Sequence, residues 1–95
     1  MKVWIVTVDT TNSKDFETRT FVHSVHLTYN GVYDELISLA EKYGSKLLAE
    51  NEYLAVGVYY DQYNNIIPEE RKTTDGRINW RLFKVAKARP YELQD

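Results

Sequence analysis

The sequence predicts an α+β fold: a mostly antiparallel sheet of five to six strands, with one amphipathic helix at about 31–43 packed on one face. Three observations carry this. Apolar residues recur at spacings of three and four between Val32 and Tyr43, the period of a helix. Elsewhere they alternate or run continuously over strand-like lengths, as in KVWIVTV and YLAVGVYY. Turn-forming residues separate these runs, including Asn51-Glu52 and Asp75-Gly76. The resulting order, β-β-α-β-β-(β)-β, places the helix across a face of an antiparallel or mixed sheet.

Lys2 to Val8 is apolar on both alternate faces, which predicts a central first strand. The polar run Asp9 to Asp15 lacks glycine and reads as a wide turn. A ferredoxin-like arrangement would need a helix at this point, and the run is too short and polar to supply one. Glu17 to Leu27 reads as a second strand, with Phe21, His23, Val25 and Leu27 on one face and Thr20, Val22, Ser24 and His26 on the other. Asn30 stands where an N-cap belongs. Asp34 and Glu35 supply negative charge near the positive end of the helix dipole. Val32, Tyr33, Leu36, Ile37, Ala40 and Tyr43 form the apolar stripe, and Gly44 suits a left-handed C-cap.

Lys46–Glu50 and Tyr53–Tyr60 read as a hairpin whose second arm is central. Gly57 within that arm marks either a bulge or a close approach to the backbone. Asp61 to Ile67 reads as a loop, while 68–72 fits a short helix or the start of an edge strand. Asp75-Gly76 signals a tight hairpin pairing Thr74 with Arg77, Thr73 with Ile78 and Arg71 with Trp80. In the last strand Ile78, Trp80 and Leu82 share one face, and Phe83 and Val85 the opposite one. Pro90 is expected to end the pairing. The 95 residues are therefore expected to form one domain over 1–90, with 91–95 as a frayed tail.

The chain has no cysteine, so disulfides and thiolate chemistry are excluded. No run of about 18 apolar residues occurs, nor an apolar leader, so a cytoplasmic protein without a membrane segment is expected. No cofactor is expected. His23 and His26 lie three apart, which on a regular strand puts them on opposite faces and prevents joint chelation of a metal. The paired carboxylates Asp34/Glu35, Glu50/Glu52 and Glu69/Glu70 sit at turns and helix ends, where solvation or capping accounts for them. There is no nucleophile elbow and no phosphate-binding glycine pattern. An enzyme is not expected.

Two features remain. Tyrosine is abundant, with eight Tyr against three Phe, and Tyr53, Tyr59, Tyr60 and Tyr63 gather near one strand end. Tyrosine offers large contact area with a polar tip, although it also suits half-buried strands. Charge is segregated: Arg71 to Arg89 holds seven of the twelve basic residues and one acid, within a chain of net charge −2. Such a segment can steer a partner, or blunt an edge hairpin against aggregation.

The expected function is a small non-enzymatic module that binds a protein partner as a regulator or inhibitor. Its size and charge would suit an accessory protein of a bacterium or phage. Tyr59, Tyr60, Tyr63 and Trp80 are the candidate anchors, with Arg71, Lys72, Arg77 and Arg81 as candidate charged contacts. The alternative is a nucleic-acid-binding module using the basic hairpin 71–89, against which a pI of about 5.7 argues. A small hydrolase or isomerase ranks below both, and a homodimer through an exposed edge strand is a further expectation.

Overall fold

Strand β1 (Lys2–Asn12) pairs antiparallel with β2 (Thr18–His26) on one side and with β8 (Leu82–Glu92) on the other. A computed structural model of the chain describes residues 1–67, 73–74, 77–78 and 80–93, with the segments 73–74 and 77–78 described by their backbone alone. The helix α1 (Tyr29–Tyr43) follows β2, and then come β3 (Leu48–Glu50), β4 (Tyr53–Tyr60) and β5 (Ile66–Ile67). The main sheet has the order β2-β1-β8-β4-β3, with β5 added to the end of β4. A separate ribbon joins β6 (Thr73–Thr74) to β7 (Arg77–Ile78). The expected antiparallel sheet with one helix on a face is the architecture present.

Cross-strand rows explain where the core sits. Val6, Ala88 and Leu54 lie side by side on β1, β8 and β4, followed by Val8, Ala86 and Val56. All six are buried, with small residues in the middle strand and larger ones at its flanks. Helix α1 lays Val32, Leu36, Leu39 and Ala40 on this surface, and Trp4 closes one end with its ring edge-on to Tyr29. Fully burying a side chain such as Leu36 or Leu54 stabilises the fold by about 1.5–3 kcal/mol.

The helix begins two residues before its expected start. Thr28, in extended conformation, is the N-cap, and its hydroxyl accepts the Gly31 N–H at 3.0 Å. Asn30 is therefore inside the helix, and Asp34 and Glu35 fall beyond its first turn, which holds no acid. Leu39 joins the buried stripe, while Ile37 is only half-buried. Gly44 ends the helix at φ 61°, in the left-handed region where a residue without Cβ is unstrained.

Three further expectations are corrected. Pro90 does not end the pairing, since β8 continues to Glu92 and the Leu93 N–H bonds to the Met1 carbonyl at 2.7 Å. The reason is local: pairing with β4 stops at Ala88, so Pro90 has a neighbour only on β1, opposite Trp4. A proline is tolerated where one side of its strand needs no hydrogen bond. Ile66 and Ile67 form β5 opposite Tyr60 and Tyr59, with Asp61 closing the intervening turn through its carboxylate. Trp80 and Arg81 interrupt the last strand ahead of Leu82, so Trp80 joins Phe83 and Tyr59 instead of sharing a face with Leu82. The pairs Thr73–Ile78 and Thr74–Arg77 are present as expected, whereas 68–72, Asp75-Gly76 and 94–95 lie outside the described residues.

The register of β2 against β1 shifts at Val6/Thr7, so His23 is an extra residue on β2. This bulge overturns the expected split of the histidines. His23 Nε2 lies 2.8 Å from Glu35 Oε1 on α1, and His26, opposite Trp4, lies against the start of the same helix. Both histidines are on the helix side.

Candidate partner-binding face

Among the described residues, no helix lies over the rows on the other face. In order across the sheet they are Val22, Thr7, Lys87, Ala55 and Leu48; then Thr20, Asp9, Val85 and Gly57; then Thr18, Thr11, Phe83, Tyr59 and Ile67. Val22 and Leu48 are 63% and 57% exposed.

One end of this face is aromatic. Tyr59 stacks on Phe83 with centroids 4.3 Å apart and planes at 21°. Trp80 stands edge-on to both rings, at 5.4 and 6.4 Å. Phe16 reaches Trp80 from the β1–β2 turn, at 6.3 Å and 81°. Each such pair contributes about 0.5–1.5 kcal/mol beyond the area it buries. The turn is built to place Phe16. The side chains of Asn12 and Asp15 accept the backbone N–H groups of Lys14 and Glu17, and Phe16 adopts φ 58°. Ser13 ties the turn to the chain beside Trp80 through the Arg81 carbonyl at 2.9 Å.

Next to the aromatic end lies a groove of about 410 Å³. It is lined by Ala55, Gly57 and Tyr59 of β4, Phe83 and Val85 of β8, and the segment from Ser45 to Leu48, which adds the polar Ser45 and Lys46. Gly57 resolves the two sequence readings in favour of close approach. A Cβ there would lie 3.0 Å from Phe83 Cε2, and the β4–β8 register runs through it without a shift. The Gly57 carbonyl also accepts the Ser45 hydroxyl at 2.7 Å.

The charges on this face are held in place. Asp9 accepts from Lys87 Nζ at 2.7 Å and from the Thr20 hydroxyl at 2.5 Å. The Lys87 and Thr20 hydrogen bonds hold its carboxyl below the usual carboxylate range. Arg89 lies over the Tyr53 ring, 5.1 Å from its centroid.

Of the residues expected from sequence, Tyr59 and Trp80 meet in the aromatic cluster. Tyr60 instead faces the helix side, with Lys84 Nζ 5.6 Å above its ring. Burial there pushes its phenol pKa up, with Tyr43 adding to the effect. Tyr63 is 74% exposed in the Asp61–Asn65 turn. The Arg81 guanidinium bonds to Asn64 in that same turn. Arg77 belongs to β7, where its backbone pairs with Thr74. Arg71 and Lys72 lie outside the described residues. Phe16, Leu48 and Phe83 are not among the candidate site residues that the sequence offers. Of the paired carboxylates, Glu35 contacts His23 and Glu52 contacts Lys2 at 3.1 Å, while Glu69 and Glu70 lie outside the described residues.

Compared with known proteins, the chain matches no family model, no curated protein and no solved structure. Among the described residues, no helix is long and apolar enough to cross a membrane.

Proposed function

We propose that this chain is a non-enzymatic protein-binding module, a regulator or inhibitor of its partner, and that it binds through the helix-free face of its sheet. Phe16 carries the reading. A bulky residue in the left-handed region stores strain of about 1–3 kcal/mol, yet this ring remains 60% exposed. The edge contact with Trp80 offsets part of that cost inside the chain, and burial of the exposed remainder under a partner would offset more. Trp80, Tyr59 and Phe83 extend the ring into a ridge of the side-chain types that dominate binding energy at protein interfaces.

Phe16, Tyr59, Trp80 and Phe83 are the anchors in this proposal, with Tyr63 as an outlying contact. The groove beside them accepts an apolar side chain of the partner. Arg81 and Arg89 supply steering charge, joined on sequence grounds by Arg71, Lys72 and Arg77. Tyr60, turned to the other side, is left out.

The test is affinity capture from a nuclease-treated extract of the producing cells, comparing wild type with Phe16→Ala/Trp80→Ala. A protein retained by the wild type and depleted at least tenfold by the variant supports the proposal. Retention that ignores the substitutions, or that vanishes with nuclease, overturns it, the latter in favour of nucleic acid. Circular dichroism establishes that the variant is folded.

A further inference from the structure

Strand β2 occupies an edge of the sheet and leaves its three large apolar side chains, Phe21, Val22 and Val25, exposed. It is nine residues long and lies at the end of the strand order, with β1 as its neighbour. Phe21 and Val22 are 53% and 63% exposed, and Val25 and Leu27 are 57% and 66% exposed. Edges are protected by shortness, by charge or Pro, by a bulge or by a cover, and of these β2 has Arg19 and the bulge at His23. The opposite edge strand, β3, has only three residues, whereas β2 contains no Pro, Gly, Lys or carboxylate.

The bulge gives the strand a symmetry. Phe21, opposite Val8, and His23, bonded to Glu35, are on the helix side; Thr20 and Val22 are on the free side. Past the midpoint between His23 and Ser24 the order is mirrored. Ser24 and His26 oppose Val6 and Trp4 on the helix side, and Val25 opposes Ile5 on the free side. A second copy laid antiparallel about that midpoint therefore meets the first with matching faces.

We propose that two copies of this chain pair β2 with β2 about a two-fold axis between His23 and Ser24, forming one continuous sheet. Val22 of each copy then packs against Val25 of the other, and Phe21 against His26. Arg19, the one fully charged residue of β2, falls opposite Thr28, so no like charges meet. The interface is isologous, and self-association closes at two copies. A foreign strand could use the same backbone groups, but it would not require the mirrored placement of Val22 and Val25. The pairing edge carries none of the aromatic ridge, so this inference and the protein-binding reading stand or fall separately.

The test is sedimentation equilibrium of the full chain, with Val22→Lys and Val25→Lys as variants at exposed positions. The wild type is expected at twice its 11.2 kDa mass, and each variant is expected to raise the dimer dissociation constant at least tenfold. Because the chain has no cysteine, Val22→Cys and Val25→Cys give a second readout. Mixed together, they are expected to form the 22–25 disulfide faster than either variant links to itself. A monomeric wild type, a dimer indifferent to both lysines, or no preference for the 22–25 link overturns the proposal.

Discussion

Asp9 ties three strands together on the helix-free face, and removing its charge tests how that face is held. It reaches Lys87 on β8 at 2.7 Å and Thr20 on β2 at 2.5 Å, with its side chain only 14% exposed. A hydrogen bond to a charged group contributes about 1.5–3 kcal/mol, whereas an exposed ion pair contributes about 0.2–1 kcal/mol. Lys87 is 34% exposed, so its share lies near the lower range. Asp9→Asn is accordingly expected to cost about 1–2 kcal/mol at pH 7, and a cycle with Lys87→Met to give a coupling of about 1 kcal/mol.

Acid provides the second arm. The folded carboxyl titrates below its unfolded value of about 3.9, so its stabilisation is present above that value and lost as pH falls through the folded one. The gap between wild type and Asp9→Asn should therefore narrow as pH falls below about 4. Urea denaturation at pH 7 and pH 3 measures both effects. A coupling under about 0.3 kcal/mol, within the additivity error of distant sites, or a gap that does not change with pH, would refute the assignment.

Two other substitutions separate the structural claims. Thr28→Ala should cost about 1 kcal/mol through loss of the cap, and Asn30→Ala much less, read by thermal unfolding; equal costs would return the cap to Asn30. Gly57→Val should drive Phe83 off Tyr59 and destabilise by about 1–3 kcal/mol, because the new Cβ meets the ring at 3.0 Å. Near-ultraviolet circular dichroism would report the disturbed rings, and an unchanged spectrum with unchanged stability would contradict the close approach.

The helix stripe, the two central strands and the Asn51-Glu52 hairpin were legible because periodicity and turn residues agreed there. The helix start was not: Thr28 and Asn30 are both competent caps, and only the packing of Tyr29 against Trp4 selects the earlier one. The bulge at His23 carries no Gly or Pro signal, so alternation assigned the histidines to opposite faces. Continuation past Pro90 depends on β4 ending its pairing at Ala88, a tertiary fact. At the site, Tyr59 and Trp80 stood out by residue type. Phe16 did not, because a lone aromatic in a polar turn has no period, and its importance lies in a left-handed backbone and the ring it meets.

The central claim is that the aromatic ridge, exposed at Phe16 and half-buried at Tyr59, Trp80 and Phe83, is a binding surface, and Phe16→Ala tests it most directly. The measurement is the dissociation constant of the captured partner by titration calorimetry, alongside thermal unfolding of the free chain. The account predicts binding at least tenfold weaker, about 1.4 kcal/mol, with folding stability lowered by only about 0.5–1.5 kcal/mol through loss of the Trp80 edge contact, since alanine keeps the Cβ that strains φ 58°. Affinity within twofold of wild type, or a loss matched by a collapse in stability, would contradict it.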